Sequence, residues 1–275
     1  MALFGNPGER ISYEYYPHPT GGPQLVLIHG LTASAASFLS NLPVFREHFS
    51  VLTIELLGHG GSDAPEHPEP YSADAQVARS LALIDHLSID RFLLCGHSLG
   101  GGVALRMALD APERLTGLIV INSNAAAATP DRREHSRAGA KQTAARIRAE
   151  GTDFVRDSWV YPARSRRLPA EAREALARDF DRITPAGLAG TYESLVPNIS
   201  AWERLPELAV PMLLVIGTRD EGFVRNSVAF IDRLPSHLLR IVELPGAGHA
   251  ANLEAREDFE EAVLAFARSL GVLLA

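Results

Sequence analysis

The chain has 275 residues and a single cysteine, Cys95, so no disulfide can close within it and no cysteine cluster can hold a metal. Its apolar runs are short, and none approaches the roughly 20 residues needed to cross a bilayer. The opening residues, Met1-Ala2-Leu3-Phe4-Gly5-Asn6-Pro7, lack the basic start and apolar stretch of a secretory signal, which makes the cytoplasm the expected location. Clustered positive charge is missing as well. Lys and Arg number 26 against 33 Asp and Glu, a formal charge of −7. Without a basic run there is little to neutralise phosphates, and a nucleic-acid partner is excluded. No internal repeat and no low-complexity linker is visible. With 46% hydrophobic and 21% charged residues, the composition is that of a folded globular protein, not of a disordered, collagen-like or coiled-coil chain. The length is ample for a buried core.

Short apolar runs bounded by Gly or Pro alternate with longer helix-like segments. The runs are Leu25 to Ile28, Val51 to Ile54, Phe92 to Cys95, Leu118 to Ile121 and Met212 to Ile216, with a sixth, Leu238 to Leu244, that begins to alternate as an outer strand does. Continuous apolar runs of this length suit strands covered on both faces, hence a mainly parallel sheet between helices. Helices are predicted over 73–87, 99–109 and 257–270 from apolar spacings of three and four. The βαβα rhythm predicts an α/β, doubly wound fold. It breaks over 123–205, which has no strand-like run and is rich in Ala, Arg and Glu. Helix-like pieces fall there around 137–150, 170–183 and 185–195. This net-basic insert divides the chain into a first core part, 1–122, a helical cap, 123–205, and a second core part, 206–275.

The strongest chemical signal is Gly96-His97-Ser98-Leu99-Gly100, a G-x-S-x-G with a strand before it and a helix after it. A serine on so sharp a turn stands clear of the sheet, while the flanking glycines remove the Cβ atoms that would clash. The helix that follows aims its free N–H groups at the site. A serine hydroxyl needs a base. Of ten histidines, His249 lies in the Gly-rich turn Gly246-Ala247-Gly248-His249 after the last strand, at the sheet edge that also carries Ser98. His29, His59 and His97 lie near that edge in turns whose role is met by structure alone. Asp220, after the strand ending at Ile216, is the candidate third member, completing the order Ser98, Asp220, His249. The other place for an acid, after the preceding strand, reads Asn122-Ser123-Asn124 and offers no carboxylate. Two backbone amides, those of Leu31 and Leu99, are the candidate oxyanion donors. Phe38, Phe154, Trp159, Tyr161 and Phe223 are the candidate aromatic walls of a substrate pocket. Cys95, among apolar neighbours, reads as a buried strand residue.

With His29-Gly30, the Glu55 to Ser62 turn, the Ser98 elbow, Gly217-Thr218-Arg219-Asp220 and Gly246 to His249 in this order, the sequence resembles the α/β-hydrolase superfamily over essentially its whole length. The resemblance implies a sheet of about eight strands with a helical cap inserted after the sixth. Serine at the elbow sets it apart from the haloalkane dehalogenases and epoxide hydrolases of this fold, which place aspartate there. It implies a serine hydrolase acting on a small carboxylic ester or related activated carbonyl, with no cofactor, no metal and a small molecule as partner. Oligomeric state leaves no mark in the sequence. A narrower resemblance, through Leu57 to Gly60, Gly217 to Phe223 and the cap piece with Phe154 and Trp159, is to the menaquinone-pathway 2-succinyl-6-hydroxy-2,4-cyclohexadiene-1-carboxylate synthases. These are lyases that eliminate pyruvate by proton abstraction with the same three residue types. Their elbow carries a carboxylate-binding arginine soon after the two glycines, where this chain has Gly102. Cap arginines such as Arg133, Arg137 or Arg146 would have to point inward to replace it. A ligand receptor with little turnover is the remaining alternative class.

Overall fold

The computed structural model describes residues 1–158 and 160–274. The chain runs through β1 (Ala2–Phe4), β2 (Ile11–Tyr16), β3 (Gln24–Ile28), α1 (Leu42–Arg46), β4 (Ser50–Ile54), α2 (Ala73–His86), β5 (Phe92–His97), α3 (Leu99–Asp110) and β6 (Leu115–Ile121). A helical insert follows, with α4 (Pro130–Glu150), α5 (Ala170–Phe180) and α6 (Pro185–Gly190). The chain then returns to the sheet through β7 (Met212–Gly217), α7 (Glu221–Ile231), β8 (Leu239–Leu244), α8 (Ala251–Glu254) and α9 (Arg256–Ser269). The strands form one eight-stranded sheet in the order β1-β2-β4-β3-β5-β6-β7-β8. Pairing is antiparallel for β1–β2 and β2–β4 and parallel from β4 to β8.

The apolar runs are continuous because both faces of each inner strand are buried. Side chains alternate sides along a strand, and both sides meet helices. Val26, Ile28, Leu94, Val120 and Leu214 point to α2, α3 and α7, contacting Val77, Ile84, Val103, Met107 and Phe230. Their neighbours Leu25, Leu27, Leu93, Ile119 and Val215 point to α1 and α9, against Phe45, Phe259, Val263 and Phe266. Each such side chain contributes about 1.5–3 kcal/mol by leaving water. Cys95 is buried in this second layer, where burial pushes its thiol well above the usual range.

Strands β1 and β2 and helices α1, α7 and α8 are additions to the elements read from apolar pattern. β2 carries Ile-Ser-Tyr-Glu-Tyr-Tyr, only half-buried beyond its first two residues, a mixed pattern that gives no continuous apolar signal. In the insert, α4 begins at Pro130, earlier than periodicity suggests. Thr129 accepts the Arg132 amide and Pro130 takes the first helical position, where a missing N–H costs nothing. The insert has its own small core of Ala144, Ile147, Val155, Phe180, Ile183 and Leu188. It meets the α/β body through a seam of Leu168, Ala172 and Leu176 against Ala33 and Leu253, and its last part sends Leu195, Ile199 and Leu205 into the core layer that holds α2 and α3.

Strand β3 lies beside both β4 and β5, so successive crossovers leave it in opposite directions. The crevice outside the carboxyl ends of β3 and β5 is the switch point where such sheets bind ligands. It is reached only if backbones pass closely. A Cβ on Gly100 would fall 2.3 Å from the His29 carbonyl oxygen and 2.4 Å from that of Ile28. Gly139, on the exposed side of α4, has nothing within 4 Å of the same position. Gly100→Ala is expected to lower the unfolding free energy by about 2–3 kcal/mol through overpacking, and Gly139→Ala to raise it by about 0.5–1 kcal/mol. Urea unfolding of the two variants checks both signs.

Candidate active site

Ser98 sits between β5 and α3 with φ 52° and ψ −117°. A non-glycine residue with positive φ is strained, and here the surroundings hold it. The Ser98 amide donates to the Ile121 carbonyl at 2.9 Å, and the Ser123 hydroxyl donates to the Ser98 carbonyl at 2.5 Å. The turn closes so tightly that a Cβ on Gly96 would lie 2.3 Å from the Gly100 carbonyl oxygen. The backbone thus presents Ser98 Oγ at the carboxyl edge, next to the turn after β3, where a Cβ on Gly30 would come within 3.1 Å of Ser98 Cβ.

The loops after β7 and β8 reach the same edge. Asp220 is the N-cap of α7, its Oδ1 accepting the Phe223 amide at 3.1 Å. This hydrogen bond both starts the helix and fixes the carboxylate. The other oxygen lies 2.6 Å from His249 Nδ1, and His249 Nε2 lies 2.9 Å from Ser98 Oγ. With Asp220 ionised, Nδ1–H donates to it and Nε2 accepts from the serine hydroxyl. Burial by itself would raise the Asp220 pKa, but the hydrogen bond and charge of His249, the Phe223 amide and the Asn122 side chain outweigh it, and the carboxyl ends below its ordinary value.

Asn122, fully buried at the end of β6 with φ 41°, is a residue that motif reading passes over. Its Nδ2 donates to Asp220 at 3.1 Å and to the Gly248 carbonyl at 3.2 Å, while its Oδ1 accepts the Gly217 amide at 2.8 Å. One amide side chain therefore ties together the loops that carry Asp220 and His249. The sequence signal was a polar residue ending a buried strand, at the place where an acid had been sought.

Three other histidines surround these residues. His97 Nε2 lies 2.9 Å from the His249 carbonyl. A carbonyl only accepts, so Nε2 carries the proton and Nδ1 holds a lone pair, which has no hydrogen-bond partner among the described residues. Burial and the nearby His249 push the His97 pKa down to about 3. His29 Nδ1–H donates to the Gly30 carbonyl at 2.7 Å and its Nε2 accepts the Leu56 amide at 3.1 Å. Burial, then His59, holds its pKa near about 3. Burial likewise lowers His59 to about 4, and its Nε2 accepts the Thr32 amide at 3.4 Å. His29 and His59 are thus neutral, buried supports for the turn bearing Leu31.

Ser98 and His249 open onto a cavity of about 420 Å³ whose walls include Leu31, Val160, Tyr161, Pro162, Leu168 and Ala250. Leu31 is on its wall, and Leu99 takes the first position of α3, where a helix amide has no intrahelical acceptor. Of the aromatic candidates, Tyr161 lines the cavity, its ring meeting Phe180 edge-on at 4.9 Å. Phe38 and Phe223 do not reach it: both are fully buried in the layers that flank the sheet, where a large apolar ring gains most. The part Phe223 plays here is its backbone amide on Asp220. Phe154 packs in the insert's own core beneath the Arg146 guanidinium, 3.8 Å away. Trp159 lies outside the described residues.

A family model described as alpha/beta hydrolase fold matches residues 23–255. The chain belongs to the α/β-hydrolase fold family. It is 31% identical to the 2-succinyl-6-hydroxy-2,4-cyclohexadiene-1-carboxylate synthase of Salmonella agona over 244 residues, 88% of this chain and 92% of that protein. It is 27% identical to 3-oxoadipate enol-lactonase 2 of Acinetobacter baylyi over 247 residues, 88% of this chain and 87% of that one. The structure of MenH from S. aureus superposes with a TM-score of 0.83 at 22% identity, covering 94% of this chain and 98% of the other, a likeness of fold. This α/β-hydrolase therefore resembles the synthase subgroup while departing from it at the elbow. At Gly102 a Cβ would meet Ile199 Cγ1 at 2.7 Å, so any side chain there must first displace a buried residue. The three arginines named for that role do not supply a substitute: Arg133 pairs with Glu203, Arg137 with Glu134 and Arg146 with Glu150, and none of the three lines the cavity.

Because Asp220 is more acidic folded than unfolded, it supplies stability above the ordinary aspartate range that is lost as pH falls through its lower folded value. Asp220→Asn is expected to remove that dependence. The gap in unfolding free energy between wild type and variant should narrow from about pH 6 to about pH 3. A gap that stays constant in urea titrations across this range would show that the carboxylate is not linked to folding.

Proposed function

We propose that this protein is a serine hydrolase cleaving a small carboxylic ester or related activated carbonyl through an acyl-enzyme. The observation that carries the reading is the unbroken hydrogen-bond chain Asp220–His249–Ser98, 2.6 and 2.9 Å long, ending at a serine that faces a largely apolar cavity. In this reading Ser98 Oγ attacks the carbonyl carbon as its proton passes to His249 Nε2. Asp220 holds the imidazole in the required tautomer and stabilises the imidazolium. The amides of Leu31 and Leu99 receive the negative charge that develops on the carbonyl oxygen, and each such donor is worth about 10²–10³ in rate. His249 then gives its proton to the departing alcohol, and a water deprotonated by the same imidazole releases the acid. The lowered pKa of Asp220 and the enforced neutrality of His29 and His97 leave His249 as the imidazole for proton transfer at this edge.

A second reading has its own support. The likeness to a 2-succinyl-6-hydroxy-2,4-cyclohexadiene-1-carboxylate synthase favours a lyase in which the same three residues abstract a proton and pyruvate leaves. Against it stand Gly102 and the outward pairing of Arg133, Arg137 and Arg146. Arg164, at the cavity wall, is the cation that remains for an anionic substrate.

Hydrolysis of p-nitrophenyl esters from acetate to decanoate, by wild type and Ser98→Ala in parallel, tests the proposal. The expected result is a rate that peaks at one chain length and falls by at least about 10³-fold in kcat on removing the hydroxyl. Near-normal turnover by Ser98→Ala would overturn the nucleophile. A folded wild type that cleaves no ester, yet releases pyruvate from the cyclohexadiene precursor, would establish the lyase instead.

A further inference from the structure

The turn that delivers His249 is built from Gly246-Ala247-Gly248, and glycines give a chain freedom that must be taken away for catalysis. On its β7 side the turn is held by the core. Thr218 Oγ1 accepts the Gly246 amide at 3.0 Å, the Arg219 amide donates to the Ala247 carbonyl at 2.8 Å, and Asn122 reaches the Gly248 carbonyl. On its opposite side it meets two charged side chains. Glu254, in α8, accepts the Gly248 amide at 3.0 Å, and a Cβ on Gly248 would lie 2.9 Å from its Oε1. Glycine at 248 is what allows the carboxylate this close. Arg167, from the insert, donates through Nη1 to the Gly246 carbonyl at 2.9 Å and to Glu254 Oε2 at 3.3 Å.

The place of this pair matters. Glu254 lines the cavity and its side chain is only 7% exposed. A carboxylate so far from water needs a compensating charge, and Arg167 brings it from a different part of the fold. The next residue along from Arg167 is Leu168, and the one before Glu254 is Leu253. These two leucines belong to the apolar seam that fastens α5 to the body, with Ala33 beside the turn after β3 in the same cluster. The ion pair is thus the polar end of a hydrophobic contact, and both are made only when the insert is seated. The same insert segment touches the other catalytic loop through a hydrogen bond from the Thr32 hydroxyl to the Val160 carbonyl.

We propose that Arg167 and Glu254 are positioning residues for His249. The pair clamps the Gly246–Gly248 turn against the body from the insert side, so seating of the insert over the cavity and alignment of His249 between Asp220 and Ser98 are a single event. Neither residue touches the reacting atoms. The role follows from the hydrolase reading, because it is the alignment of that base which the clamp serves.

The test uses the full-length protein and the p-nitrophenyl ester it prefers, comparing wild type with Arg167→Leu, Arg167→Lys and Glu254→Gln. It adds the low-field proton NMR signal of His249 Nδ1–H. Arg167→Leu is expected to lower kcat about tenfold with KM within about twofold, the pattern of a misaligned group, and to broaden the Nδ1–H signal. Arg167→Lys should restore most of both, since it keeps the charge at the turn. Glu254→Gln, which can still accept the Gly248 amide but not pair with Arg167, should show the same loss to a smaller degree. It decides the matter should Arg167→Leu fail to fold. If kcat and the Nδ1–H signal match wild type while only the melting temperature drops, the pair merely fastens the insert and the proposal is overturned. Should Ser98→Ala prove as fast as wild type, the hydrolase reading fails alone, and the Nδ1–H signal still decides: broadened in Arg167→Leu it upholds the clamp, unchanged it refutes it.

Discussion

Everything at the carboxyl edge of the sheet depends on how closely the chain can pass itself around Ser98. A residue held at positive φ costs on the order of 1–3 kcal/mol unless its neighbours leave no alternative. Those neighbours are the ends of β3, β5 and β6. Gly96 and Gly100 carry no Cβ, so α3 starts directly over β3, and the Ser98 backbone is fixed to the end of β6 at its amide and to Ser123, just beyond that strand, at its carbonyl. The strained serine is therefore a product of packing between strands. Parallel pairing aligns Ile28 with Gly96 and His97 with Ile121, placing the turn with Leu31, the serine and Asn122 side by side.

Around this geometry the protein separates its ionisable groups by environment. His29, His59 and His97 are buried deeply enough to stay neutral, and each hydrogen-bonds backbone groups of the loops that frame the site, His97 through Nε2 alone. Asp220 is also largely buried but remains an anion, because three donors converge on it. A buried charge is tolerated only when its lone pairs are occupied. Asn122 is central to that balance, since its amide serves the carboxylate and the histidine loop together. The Asp220 carboxylate and the His249 imidazole thus stand in one hydrogen-bonded line with Ser98, framed by neutral histidines.

The insert shapes what can enter. Its own core is small, and it is held to the body by Leu195, Ile199 and Leu205 in the main core, by a short apolar seam and by polar contacts at both framing loops. The cavity wall it contributes, from Val160 to Leu168, is mainly apolar and includes Arg164. Family membership alone leaves the substrate open, because one fold hosts many reactions and the difference lies in the site.

The sequence was sufficient for most of what depends on local pattern, helix α7 being an exception. Runs such as Leu25 to Ile28 and Met212 to Ile216 are strands because they are apolar on both faces, and the α/β class follows from their alternation with amphipathic helices. The order of Ser98, Asp220 and His249 was readable because each follows a strand, and parallel strands put such loops at one edge. Strands β1 and β2 at one end of the sheet escaped, since a half-buried antiparallel pair leaves only a mixed pattern. Other features belong to tertiary structure alone. An aromatic residue near a loop looks the same in sequence whether it lines a pocket or fills a core, and only packing sent Phe38 and Phe223 inward and Tyr161 to the cavity. The partnership of Asn122 with Asp220, and of Arg167 with Glu254 across 87 positions, has no local signature. Such contacts are set by which loops the sheet order brings together, and a hydrogen bond between distant residues leaves no periodicity to read.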